Sequence, residues 1–286
     1  MSVYRNFNQE QLDTQYNVRG GIPGFERIFE RWAAGGAAFR RTHSVRENLA
    51  YGTDAKQTLD FFPAASRGRP VLVFIHGGYW QSLDKSDFSH VAAPYLKHDI
   101  NVAVVNYRLA PDVGMADIVR DNRDAVAWLH RNADELGLDA HRIYVSGHSA
   151  GGHLTAILAG TEWELHGLPA DVVKGACAIS GLYDLEPIRL CYLNKVVGLK
   201  EADVAAYSPM SHLPKTAMPM ILTVGGDESH EYHRLQGEYK TVLEQNGFAV
   251  QVVVQNGGHH FDAVDLLGEE NGPLARAVLA LIARDD

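Results

Sequence analysis

The feature of this 286-residue chain that most limits its fold is a succession of short apolar runs separated by stretches with helical spacing. "RPVLVFIHGG", residues 69–78, opens on an unbroken apolar run, as a strand buried on both faces of a sheet must be. "INVAVVNYRLAP", "HRIYVSGHS", "VVKGACAIS", "PMILTVGGD" and "AVQVVVQNGGHH" repeat the pattern, with helical stretches such as "MADIVRDNRDAVAWLHRNADELGL" between most of them. Such alternation requires right-handed crossovers and predicts an α/β fold, a mostly parallel sheet with helices on both faces. Two short alternating strands, "VRENLAYG" and "KQTLDFF", precede it. Ligands in such sheets bind beyond the carboxyl ends of the strands, so the residues that follow each run are the ones to inspect.

One domain over residues 1–286 is expected. Residues 1–45 form an N-terminal helical segment in which Phe25, Ile28, Phe29 and Trp32 share one face, as packing residues rather than a ligand box. Residues 182–218 offer helical patches but no strand and are read as a small cap over the strand ends; an ordinary surface connection is the alternative. With 46% hydrophobic and 21% charged residues the chain can fill a core unaided. A net charge of −9 without a basic run argues against nucleic acid. No apolar run is long enough for a bilayer, and the first residues hold no signal core, so a soluble cytoplasmic protein is expected. Cys177 and Cys191 suit neither a disulfide scaffold nor a zinc site. The oligomeric state is left open.

"GHSAG", Gly147–Gly151, lies between a strand and a helix-compatible run, the context of a nucleophile elbow in which Ser149 sits on a strained turn above a helix N-terminus. A serine hydroxyl needs a base. In this architecture the base comes last in the chain, which points to "NGGHHFD" with His259 and His260. His148 and His153 flank the serine but lie too early for that role; His153 is expected to pack along the elbow helix. The acid should follow the preceding strand, where Asp227 and Glu228 are adjacent; Asp184 is a third option, better suited to capping a helix. "FIHGGYWQS" supplies a glycine turn after a strand, with Gly78 and Tyr79, joined by Ala150, as oxyanion donors. His76, His148, His259 and His260 could be imagined around a metal, but no helical H-x-x-x-H pair or cysteine ligand supports one, and no cofactor is called for.

Taken together, "HGGYW", "YRLAP", "GHSAGGHL" and the late "HHFD" resemble the α/β-hydrolase superfamily near the hormone-sensitive-lipase-like esterases, and within it the kynurenine formamidase (arylformamidase) group. The likeness runs from about residue 46, and N-terminal helices also suit that group. It implies Ser149 as nucleophile and His260, just before Phe261 and Asp262, as base. The family acid stands as G-x-x-D; here Gly225 plus three is Glu228, so the resemblance favours Glu228 and keeps Asp227 as the alternative acid.

The expected activity is hydrolysis of a small aromatic amide or ester through an acyl-enzyme, arylformamidase-like, with a short-chain carboxylesterase as the second reading and a non-catalytic ligand-binding module as a remote third. His76, Trp80, Tyr183, Arg189 and Tyr192 are the substrate-side candidates. Tyr79 and Trp80 should wall off the acyl side, unless both rings pack inward. Tyr183 and Tyr192 should face the leaving group beneath the cap, where Arg189 is the single arginine available for an acidic substrate.

Overall fold

The computed structural model describes residues 1–285. The two alternating stretches become strands β1 (Arg46–Ala50) and β2 (Thr58–Phe62), and the apolar runs become β3 (Arg69–Ile75), β4 (Asn101–Val105), β5 (Leu138–His148), β6 (Val173–Ile179), β7 (Met220–Thr223) and β8 (Val250–Val252). They form one sheet in the order β1-β2-β4-β3-β5-β6-β7-β8. β1 with β2 and β2 with β4 are antiparallel; every pairing from β4 through β3 to β8 is parallel. The unbroken apolar runs end up where both faces are covered: all five residues of β4 and six of the seven in β3 are buried.

Three helices precede the sheet: α1 (Gln9–Tyr16), α2 (Val18–Gly21) and the long amphipathic α3 (Phe25–Thr42). Asn8 caps α1, accepting from the Gln11 N–H while the Gln11 side chain accepts from its own. α3 packs against the 3₁₀ turn Lys85–Ala92, where Gly36 comes so near that a Cβ there would lie 2.1 Å from the Ser86 carbonyl oxygen. The crossovers carry α4 (Ala93–Lys97), α5 (Met115–Arg131), α6 (Ala133–Leu136) and α7 (Ala150–Ala159). Every residue of α7 is buried, because the helix lies against β5 and β6 and is covered in turn by α5.

Residues 182–218 hold α8 (Glu186–Leu190), α9 (Asn194–Val197) and α10 (Glu201–Tyr207). The chain closes with α11 (His230–Gln245) between β7 and β8, then α12 (Asp262–Asp265) and α13 (Pro273–Ile282). Among the described residues no helix is long and apolar enough to cross a membrane.

Candidate active site

Ser149 stands between the end of β5 and the start of α7 with φ 59° and ψ −117°, a left-handed conformation costly for any residue with a Cβ. The turn survives because its surroundings leave no other path. The Ser149 N–H donates to the Ile179 carbonyl at 2.8 Å, and a Cβ at Gly151 would lie 2.0 Å from the Ile75 carbonyl oxygen. A Cβ at Gly147 would likewise meet the Gly151 oxygen at 2.4 Å, so both motif glycines are set by close backbone approach. Ala150 is the first residue of α7, and its N–H belongs to the unpaired first turn of a helix whose partial positive end lies under Ser149.

Glu228 and His260 meet at 2.6 Å between Oε2 and Nδ1, and both side chains are buried. The other Glu228 oxygen accepts from the Gly225 N–H at 2.7 Å and the Ser180 hydroxyl at 2.5 Å. Asp227 points elsewhere for a backbone reason. Gly226 N–H and Asp227 N–H donate to the carbonyls of Gly257 and Gly258, which zips this loop to the histidine loop. That pairing turns residue 228 inward and leaves Asp227 exposed. Asp184 is not in contact with His260: it accepts from the Glu186 N–H and from the Tyr4 hydroxyl, and the N-cap position of α8, expected of it, falls one residue later on Leu185.

His148 donates from Nε2 to the His260 carbonyl at 2.8 Å, and the two rings lie 4.6 Å apart. Burial, then the neighbouring His260, holds the His148 pKa well below the ordinary histidine value, so its ring is neutral. His260 and Ser149 line one cavity, although no hydrogen bond joins their side chains among the described residues; such contacts are often long before substrate binds.

Gly78, Tyr79 and Trp80 follow β3 with φ values of 100°, 50° and 58°, three consecutive left-handed residues. Neither the Gly78 nor the Tyr79 N–H has an acceptor among the described residues. The Tyr79 side chain lines the Ser149 cavity, and its hydroxyl donates to the Tyr16 carbonyl at 2.8 Å. That single proton is then spent, so the 2.7 Å contact with the Tyr232 hydroxyl has Tyr232 as donor. Trp80 takes the inward alternative: it is fully buried, edge-on to His153 at 5.1 Å. His76 is also in the core, stacked on Tyr107 with its ring nitrogens facing Gly77 O and Asn106 Oδ1, and burial pushes its pKa down to about 4.

Two cavities flank the Ser149–His260 region. The larger, with an empty volume of about 580 Å³, is lined by Thr14, Gln15, Asn17, Val18, Gly21 and Ile22 on one side and by Asp227, Glu228, Ser229, Tyr232, His259 and His260 on the other. The smaller, about 340 Å³, holds Ser149, His148, His260, Gly78 and Tyr79, walled by Val18, Arg19, Phe29, Trp32, Leu83 and Phe261.

The walls therefore come from the N-terminal segment, and no residue of 182–218 lines either cavity. Tyr183 is wholly buried and stacked on Tyr239, while Arg189 is paired with Glu186. Tyr192 reaches the segment that forms the wall, its hydroxyl 3.5 Å from the Tyr16 carbonyl. Phe29 and Trp32, read as packing residues, do pack on Phe261 but also face the cavity. Tyr232, Ser180, Arg19 and residues 14–22 carry no sequence motif that singles them out; only the helical spacing of Phe29 and Trp32 was visible.

The BD-FAE family model matches residues 59–232, more than half of the chain. The chain belongs to the BD-FAE family. The BD-FAE match takes in Gly78 and Tyr79, the Ser149 turn and Glu228, and stops before His260.

A kynurenine formamidase from Danio rerio is 27% identical over 99% of this chain and 100% of its own length. Esterase LipC of Mycobacterium tuberculosis is 28% identical over 85% of this chain and 66% of its own. Among solved structures, a provisionally described thioesterase from a Silicibacter species superimposes with a TM-score of 0.81 at 28% identity, covering 96% of this chain and 99% of its own. An esterase from Pyrobaculum calidifontis, at 19% identity and a TM-score of 0.72 over 93% and 96%, shares the fold. This BD-FAE protein is accordingly a hydrolase with the α/β-hydrolase fold.

Proposed function

We propose that the protein is a serine hydrolase that cleaves a small aromatic amide or ester through an acyl-enzyme, with a formamide as its natural substrate. The observation that carries the reading is the strained Ser149 turn sharing a cavity with a His260 whose Nδ1 is held by Glu228. With Nδ1–H donated to Glu228, Nε2 is left free to act as base. Ser149 Oγ would attack the carbonyl carbon and pass its proton to Nε2, while the N–H groups of Tyr79 and Ala150, with Gly78, receive the negative charge on the carbonyl oxygen. His260 then returns the proton to the leaving nitrogen or oxygen as the bond to it breaks. Water, deprotonated by the same nitrogen, releases the acyl group from Ser149.

The choice of a formamide rests on the full-length similarity to a kynurenine formamidase, and the aromatic wall of the cavity at Ser149 suits an aryl substrate. A short-chain carboxylesterase is the second reading, favoured by the similarity to esterase LipC. The test is to assay the protein and its Ser149→Ala variant on N-formylkynurenine and phenyl acetate side by side, and to label both proteins with a fluorophosphonate. The expected result is faster turnover of the formamide, covalent labelling at Ser149, and a loss of ~10⁴-fold or more in the variant. Undiminished turnover in Ser149→Ala would overturn the mechanism; phenyl acetate alone being cleaved would move the protein to the esterases.

A further inference from the structure

We propose that Arg19 binds a carboxylate on the substrate, so that the cavity at Ser149 selects aryl amides or esters that carry a negative charge. This rests on the reading of Ser149 as nucleophile. Arg19 is the one lysine or arginine among the residues lining either cavity. In the smaller cavity no carboxylate is among the lining residues; Asp227 and Glu228 lie on the larger one. Nor does Arg19 have a carboxylate within 4.0 Å among the described residues, although the chain carries 35 acidic residues and a net charge of −9. The arginine expected from the sequence to meet an acidic substrate, Arg189, is instead occupied by Glu186 through two hydrogen bonds of 2.7 and 2.5 Å.

The guanidinium is nevertheless held in place. Its carbon lies 5.3 Å from the centre of the Phe29 ring and 5.8 Å from that of Phe25. One Nη2–H donates to Ser82 Oγ at 2.7 Å, and the Ser82 hydroxyl gives its own proton to the Gly78 carbonyl at 3.1 Å. Arg19 is thus registered on the loop that carries the oxyanion donors, with four of its five N–H groups left to meet a carboxylate in the planar, two-point manner that guanidinium favours. A substrate whose carbonyl sits at Ser149 would lay its aromatic body along the phenylalanine wall and bring an acidic substituent to Arg19.

The experiment compares 3-carboxyphenyl acetate with phenyl acetate and reads the ratio of their kcat/KM values. Wild type should favour the anion, Arg19→Gln should reduce the ratio by about threefold to tenfold, and Arg19→Lys should restore part of it, losing the two-point geometry but keeping the charge. Arg19→Glu should reverse the preference. The wild-type preference should weaken as ionic strength rises. A ratio that Gln and Glu leave unchanged, or an equal loss on both esters, would overturn the assignment.

Binding without turnover separates this from the catalytic reading. Calorimetric titration of Ser149→Ala with 3-acetamidobenzoate and acetanilide should show the carboxylate bound more tightly, and the difference should vanish when Arg19→Gln is added. Esters turned over without any carboxylate preference would sink Arg19 alone. A carboxylate preference that depends on Arg19 in a protein whose turnover survives Ser149→Ala would sink the serine mechanism and keep Arg19.

Discussion

Which of two adjacent carboxylates meets His260 is decided by backbone pairing rather than by side-chain chemistry. Asp227 and Glu228 could each hold an imidazole, but the hydrogen bonds from Gly226 and Asp227 to the histidine loop turn only residue 228 toward His260. Glu228→Gln keeps the shape and removes the charge; its amide would offer a donor where His260 needs an acceptor, and the ring would be drawn to the wrong tautomer. The expected loss in kcat is about 10³–10⁴-fold, against less than about threefold for Asp227→Asn, with steady-state kinetics on one substrate as the measurement. The opposite ranking would give the role to Asp227. That Glu228 rather than Asp227 contacts His260 could be read from the spacing, because the motif counts from Gly225, where a Cβ would lie 2.6 Å from the Gly258 carbonyl, so the spacing records a steric constraint. Tyr232 was not legible. It sits in the first turn of α11, and nothing in "HEYHRL" says that its phenol will be buried against His260 and bonded to Tyr79.

At the scale of elements, strands and crossovers could be read because the central apolar runs are long enough to declare burial by themselves, as in β3 and β4, whereas the source of the cavity walls could not. The expected cap, residues 182–218, turns its apolar side chains, among them Leu182, Leu185 and Ile188, into the core. The N-terminal segment takes the wall position by polar contacts that no periodicity encodes. Gln9 donates to the Leu190 carbonyl, Asp13 accepts from the Tyr192 N–H, and the Tyr16 hydroxyl donates to Glu231 at 3.0 Å. The last contact matters most, since Tyr16 is wholly buried and Glu231 is 2% exposed with Arg234 as its one ion-pair partner among the described residues. Tyr16→Phe leaves a buried carboxylate oxygen short of a donor and should cost about 1–3 kcal/mol. Because the loss is local, amide exchange should quicken over residues 9–21 while the sheet stays protected, and KM for an aryl substrate should rise more than kcat falls. Unaltered exchange together with unaltered KM would show that these helices do not hold the wall.

Considered as one molecule, the protein places three neutral imidazoles around the carboxyl ends of its central strands, and that arrangement ties its stability to pH. His76, His148 and His153 are each buried, and desolvation is the leading cause that lowers all three pKa values, to about 4 for His76 and His153. Their unfolded-state value is near 6.5. As pH falls below 6.5 the unfolded chain takes up protons that the folded chain refuses, so stability declines until the folded pKa near 4 is passed and the native histidines also charge. Carboxylates with lowered values, such as Asp84 and Asp171, act in a different window: their contribution is present above about 3.8 and fades below it. Urea unfolding at pH 7 and at pH 4.5 therefore reads chiefly the buried histidines, of which His76 and His153, lowered to about 4, should each contribute about 2–3 kcal/mol to the difference between the two pH values. His153 is the cleanest to test, because its Nε2–H donates to the Tyr207 carbonyl at 2.8 Å and a glutamine amide can supply the same hydrogen bond without binding a proton. His153→Gln should lose less stability than wild type on going from pH 7 to pH 4.5, by about 2–3 kcal/mol, whatever its stability at pH 7. Parallel declines in the two proteins, or a wild type whose stability is flat over that range, would mean that these imidazoles titrate normally and are reached by water.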